Sequence, residues 1–71
     1  MGNWCRVEFP EPRRVKVNQR WQGWTNALKY LGEDGTYVFT LEGDDFEPEE
    51  VEEDIEGSSK WDPFIVVFEQ L

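Results

Sequence analysis

Ten of the fifteen residues from Glu42 to Glu56 are acidic and none is basic. Carboxylates at this density keep a surface solvated, gather a hard cation, or stand in for nucleic-acid phosphates on a basic protein surface. Calcium fits poorly: counted from Asp44 or Asp45, no glycine falls where a calcium loop needs its sharp turn, and Pro48 interrupts the ligand series. The solvated face and the docking surface both stay open. For docking, the carboxylates are those of Asp44, Asp45, Glu47, Glu49, Glu50, Glu52, Glu53 and Asp54. Trp21 and Trp24 flank Gly23 beside Arg20. They read either as a lid on the core or as interface anchors, since Trp and Arg are enriched at interfaces.

The rest of the chain offers little reactive chemistry. It contains no histidine, which removes the commonest general base, the usual partner of a Ser or Cys nucleophile and a favoured zinc ligand. Cys5 reads as a small buried hydrophobe rather than a thiol activated by Arg6. Gly32 and Gly35 bracket Glu33 and Asp34, the wrong charge for a loop that cradles phosphate. A carboxylate pair can serve as acid and base, but a domain this small has little room for a substrate cleft. The expectation is a non-enzymatic protein with no cofactor and no metal. Arg13, Arg14, Lys16 and Arg20 form the alternative site, holding phosphates while the tryptophans stack on bases.

Charge is distributed unevenly. The net charge is −9, made of +4 over residues 1–30 and −13 over residues 31–71. The acidic part repels nucleic acid and favours a basic protein, unless the two charge zones lie on opposite faces. Seventy-one residues make a single domain, 1–71, with a thin core. Eleven of its residues are aromatic, so a few large rings can replace many aliphatics, and the tryptophans at 4, 21, 24 and 61 are expected at the core or its rim. One cysteine excludes an internal disulfide. No apolar run is long enough for a membrane span, and Met1-Gly2-Asn3-Trp4 does not read as a signal peptide, so a cytoplasmic location with no membrane partner is expected.

Periodicity sets the elements that must position these groups. Strands are expected at about 4–9, 14–17, 27–31, 36–42 and 64–69, making the protein mainly β. Gly32-Glu33-Asp34-Gly35 predicts a β-hairpin between the third and fourth, with Leu28 and Tyr30 inward and Lys29 solvated. Phe64 to Phe68 predicts a strand buried on both faces or nearly so. Residues 18–26 read as a loop on Gly23, with a helix over 19–30 as the rival. Within the acidic segment a short helical turn is expected, capped by Asp44 or Asp45 and docked through Val51 and Ile55. Five short antiparallel strands are most economically closed as a small barrel or half-barrel.

The order Arg14-Val15-Lys16-Val17, then Gly23-Trp24 with Ala27, then the run from Gly32 to Glu53 resembles SH3-like barrels of the KOW or Tudor kind. The resemblance covers residues 14–53. It implies a five-stranded SH3-like barrel that binds proteins or nucleic acids and seldom catalyses. In size and charge the chain also resembles the compact acidic regulators that phages make against host nucleic-acid machinery. The expected function is that of a regulator or inhibitor docking on a larger protein with a basic surface, such as an RNA polymerase or a nuclease. The alternatives are a nucleic-acid-binding module and a structural or solubilising subunit.

Overall fold

A computed structural model describes residues 2–71. Among them the protein is all β, in nine strands: β1 (Asn3–Glu8), β2 (Arg14–Val17), β3 (Arg20–Trp24), β4 (Leu28–Gly32), β5 (Gly35–Leu41), β6 (Phe46–Glu47), β7 (Val51–Ile55), β8 (Phe64–Val67) and β9 (Glu69–Gln70). They form a three-stranded sheet in the order β4-β1-β8, a four-stranded sheet in the order β3-β2-β5-β7, and the small pair β6-β9. No helix among the described residues is long and apolar enough to cross a membrane.

Alternation builds the core. Cys5 and Val7 of β1, Val15 and Val17 of β2, and Phe39 and Leu41 of β5 all turn inward. They meet Phe9, Phe46, Ile55, Val66 and Phe68 in one cluster shared by the two larger sheets. Phe46 joins the other rings edge-on, 6.5 Å from Phe9 and 5.6 Å from Phe68. The four tryptophans stay out of it. Trp4 is half-buried, and Trp21, Trp24 and Trp61 are exposed, so phenylalanine and valine fill the thin space between the sheets.

Several expectations are corrected here. The sheets do not close into a barrel, and the pairing is not wholly antiparallel, because β1 and β8 run parallel with Cys5 opposite Phe64. The segments on either side of Gly32–Gly35 are strands but not a hairpin. β4 pairs with β1, while β5 lies between β2 and β7. The turn instead carries the chain from one sheet to the other. It is held by Asn3, whose amide donates to the Gly32 carbonyl at 3.1 Å and to Asp34 at 2.7 Å. The facing of β4 is also inverted: Lys29 is buried opposite Cys5, and Leu28 and Tyr30 point out.

Residues 18–26 form no helix, and the expected loop is confined to turns at the two ends, with the strand β3 between them. Asn18 and Gln19 both have positive φ (50° and 68°), the backbone of a two-residue turn whose twist suits a hairpin. The turn joins β2 to β3, with Lys16 opposite Trp21 and Arg14 opposite Trp24. The Asn18 side chain locks it by accepting from the Val38 amide at 2.9 Å.

The acidic helical turn is a strand, β7, antiparallel to β5. A helix would set Glu49–Glu53, Glu50–Asp54 and Glu52–Glu56 as like-charge neighbours one turn apart. An extended chain rises about 3.3 Å per residue against 1.5 Å, and turns successive carboxylates to opposite sides. Val51 and Ile55 still face the core. Phe64 to Phe68 lies at a sheet edge with one face open, leaving Ile65 and Val67 exposed.

Candidate functional site

The four-stranded sheet carries both candidate sites on its edges. β3 is one outer strand and β7 the other, with β2 and β5 between. Three strand spacings separate them by about 14 Å. The basic side chains Arg14 and Lys16, however, stand on β2, only two spacings or about 10 Å from β7, and Lys16 and Glu50 line one depression. The two zones therefore adjoin on one face of one sheet, weighted toward its opposite edges, rather than lying on opposite faces.

At the β7 edge, Glu52, Glu53 and Asp54 are all exposed. Register places Glu52 beside Val38 and Asp54 beside Thr36 on the outer face, and Glu53 beside Tyr37 on the other. The Thr36 hydroxyl donates to the Asp54 carboxylate and fixes its direction. Glu49 and Glu50 are exposed in the connection leading into β7, where the Glu49 carbonyl accepts from the Thr40 hydroxyl at 2.7 Å. Glu50 also borders a shallow depression of about 340 Å³ over Val38 and Thr40, closed on the far side by Lys16, Asn18 and Gln19.

The other predicted carboxylates do not join this edge. Asp45 is engaged by Arg13, whose guanidinium donates to both of its oxygens at 2.6 and 3.1 Å. That pairing holds the Asp45 carboxyl down at about 2, from an ordinary 3.8. Arg13 also donates to the Glu42 carbonyl at 2.8 Å and to Glu11 at 2.9 Å, lowering the Glu11 carboxyl too. Asp45 and Arg13 together clamp the chain before β6 onto the chain before β2, and neither offers a free charge. Glu47 sits on β6 opposite Glu69, and Asp44 is exposed in the preceding turn.

At the β3 edge the structure unites four of the predicted groups. Trp21, Trp24, Arg14 and Lys16 share the outer face by register. The Arg14 guanidinium lies 4.5 Å and the Lys16 ammonium 4.7 Å from the centre of the Trp21 ring. These cation–π contacts hold both charges beside the ring. Trp24 is 54% exposed. Arg20 lies opposite Val17, an inward position, and so projects to the other side of the hairpin.

Residues that composition did not single out position these groups. Thr25 and Asn26 stitch the proline-containing stretch after β1 to the end of β3. The Thr25 hydroxyl accepts from the Arg13 amide and donates to the Glu11 carbonyl, each at 2.9 Å. The Asn26 side chain exchanges bonds with the backbone of Phe9 at 2.8 and 3.2 Å. The buried Lys29 ammonium donates to the Trp24 carbonyl and so ties β3 to β4. Burial pushes its proton affinity down, against the opposing pull of Cys5. Burial likewise pushes the Cys5 thiol up to about 11, which makes it a poor nucleophile. Among the described residues, no three acidic, Cys or His side chains are grouped to hold a metal. Compared with known proteins, the chain matches no protein-family model, no curated protein and no solved structure.

Proposed function

We propose that the protein is a non-enzymatic binding module that docks its acidic β7 edge on a basic surface of a larger protein. One observation carries this reading. β7 is the outer strand of the four-stranded sheet, and its three central residues are all exposed carboxylates. An outer strand offers unpaired backbone donors and acceptors. Here a basic strand or groove would satisfy both the backbone and the charge, while acidic or neutral strands are turned away. Grooves that hold nucleic acid have this basic character, so the partner class is a nucleic-acid-handling protein such as a polymerase or nuclease. The protein then acts as a cytoplasmic, phage-type regulator or inhibitor.

A second reading is favoured by the stacking of Arg14 and Lys16 on Trp21 beside the exposed Trp24. Aromatic rings flanked by cations on an open sheet suit single-stranded nucleic acid.

The test begins with capture from lysate at low salt and again at high salt, followed by association kinetics with the recovered partner. Converting Glu49, Glu50, Glu52 and Glu53 to Gln keeps side-chain length and removes four charges. Association is expected to slow by about tenfold or more and to lose most of its salt dependence. Equal association by parent and variant would remove the acidic edge from the mechanism. Recovery of RNA, lost in Trp24→Ala, would favour the second reading.

A further inference from the structure

The outer face of the three-stranded sheet lies away from both edges just described and carries an uncovered apolar surface. Register sets its rows. Tyr30 stands beside Trp4, Leu28 and Ile65 flank Arg6, and Val67 stands beside Glu8. Leu28 is 40%, Tyr30 54%, Ile65 41% and Val67 56% exposed. The Trp4 and Tyr30 rings meet edge-on with centres 5.2 Å apart. Apolar side chains gathered from all three strands of one face mark an interaction surface rather than scattered exposure. In its middle, on the central strand β1, Arg6 and Glu8 form an ion pair at 3.2 Å, both side chains about two-fifths exposed.

We propose that this face is the interface of a two-fold symmetric homodimer in which two copies pack sheet to sheet. The central charges identify the occupant as a second copy. They are opposite in sign and one step apart along the same face of β1. Take a two-fold axis lying between the sheets, across the strands, midway between Arg6 and Glu8. It sets Arg6 of each copy against Glu8 of the other. The same operation lays Ile65 over Val67 of the second copy. The patch is thus complementary to itself in charge and, along β8, in apolar content, as an isologous interface requires. Aligned face-to-face packing of two twisted sheets is a standard arrangement, with about 10 Å between them. The net charge of −9 opposes association only weakly here, because the acidic β7 belongs to the opposite sheet. The same net charge disfavours an anionic lipid surface as the occupant.

Sedimentation equilibrium of the full chain, at physiological salt and from micromolar to millimolar concentration, tests the proposal. The parent is expected to dimerise. Arg6→Glu and Glu8→Arg should each raise the dissociation constant by about tenfold or more, since each sets two like charges face to face across the axis. Mixing the two variants should restore the dimer, because every cross-axis contact is then between opposite charges. Both side chains are surface-exposed, and thermal melts should show each variant folded. A parent that stays monomeric throughout would overturn the proposal. So would a dimer indifferent to both variants, which would point to the β8 edge or another surface, or a mixture that stays monomeric. The glutamine variant of Glu49, Glu50, Glu52 and Glu53 should dimerise as the parent does, so dimer loss and partner loss are separable outcomes.

Discussion

Raising the pH from about 8 to about 11 should destabilise the protein, and the largest resolved cause is the sulfur of Cys5. The side chain is fully buried, and burial lifts the thiol from 9.0 to about 11. In the unfolded chain it ionises near its ordinary value. Between the two values the unfolded chain gives up a proton that the native state keeps, so stability falls as pH rises. The contribution is complete below about 9 and is lost as pH passes through about 11. Two pKa units correspond to about 2–3 kcal/mol. Tyr37 and Lys29 also shift, the phenol upward through burial and Glu33, the ammonium downward through burial. Both remain in a Cys5→Ala variant and lose there only their interaction with the thiol, so the difference between parent and variant reports the thiol together with that coupling. Urea unfolding at several pH values supplies that difference. Near pH 8 the variant should be the less stable by about 1 kcal/mol for the lost sulfur contacts. By pH 11 it should have become the more stable. Parallel profiles across the range would show that Cys5 ionises alike in both states, and the assignment of a dry, inward thiol would fail.

Two further expectations bear on the core and on the clamp. Phe39 is fully buried between β2 and β7, so Phe39→Ala should cost about 3–5 kcal/mol, and a melting temperature within a few degrees of the parent would refute its place in the core. Asp45 is held at about 2 by Arg13, so its pairing stabilises the fold above an ordinary 3.8 and is lost as pH falls through about 2. Asp45→Asn should remove that part of the acid unfolding profile measured by circular dichroism, and an unchanged profile would show that the clamp contributes nothing.

How much of this was legible in the sequence depended on the range of the interaction concerned. β1, β2 and β5 announce themselves because apolar and polar residues alternate along each. β4 alternates too, but its buried member is Lys29, a residue that ordinarily seeks water and here reaches a backbone carbonyl. Polarity therefore read its facing backwards. Gly32-Glu33-Asp34-Gly35 correctly signals a turn, yet a local turn cannot say whether its flanks pair with each other or with distant strands. Val51 and Ile55 are four residues apart, a spacing that lands on one face at either a helical or a strand period. Pairing to β5 decided between them. For the site, charge density marked Glu49 to Asp54, whereas the withdrawal of Asp45 and Arg13 depended on a contact across 32 residues. Exposure of Ile65 and Val67 depended on the outer face of the three-stranded sheet being uncovered, which composition does not encode.

The parallel union of β1 with β8 also governs the order in which the molecule can be made. Cys5 and Val7 lie near the start of the described chain, and the strand that pairs beside them, Phe64–Val67, lies near its finish. As the chain emerges during synthesis, β1 can take up β4 early and the β2–β3 turn can form on its own. The inner face of β1 then waits, part of its apolar surface still wet, until Val66 and Phe68 are released. Closing so long a loop costs entropy before any contact repays it, which places the protein among slower folders for its size. In that interval the unfinished sheet is the species most exposed to chaperones and to aggregation.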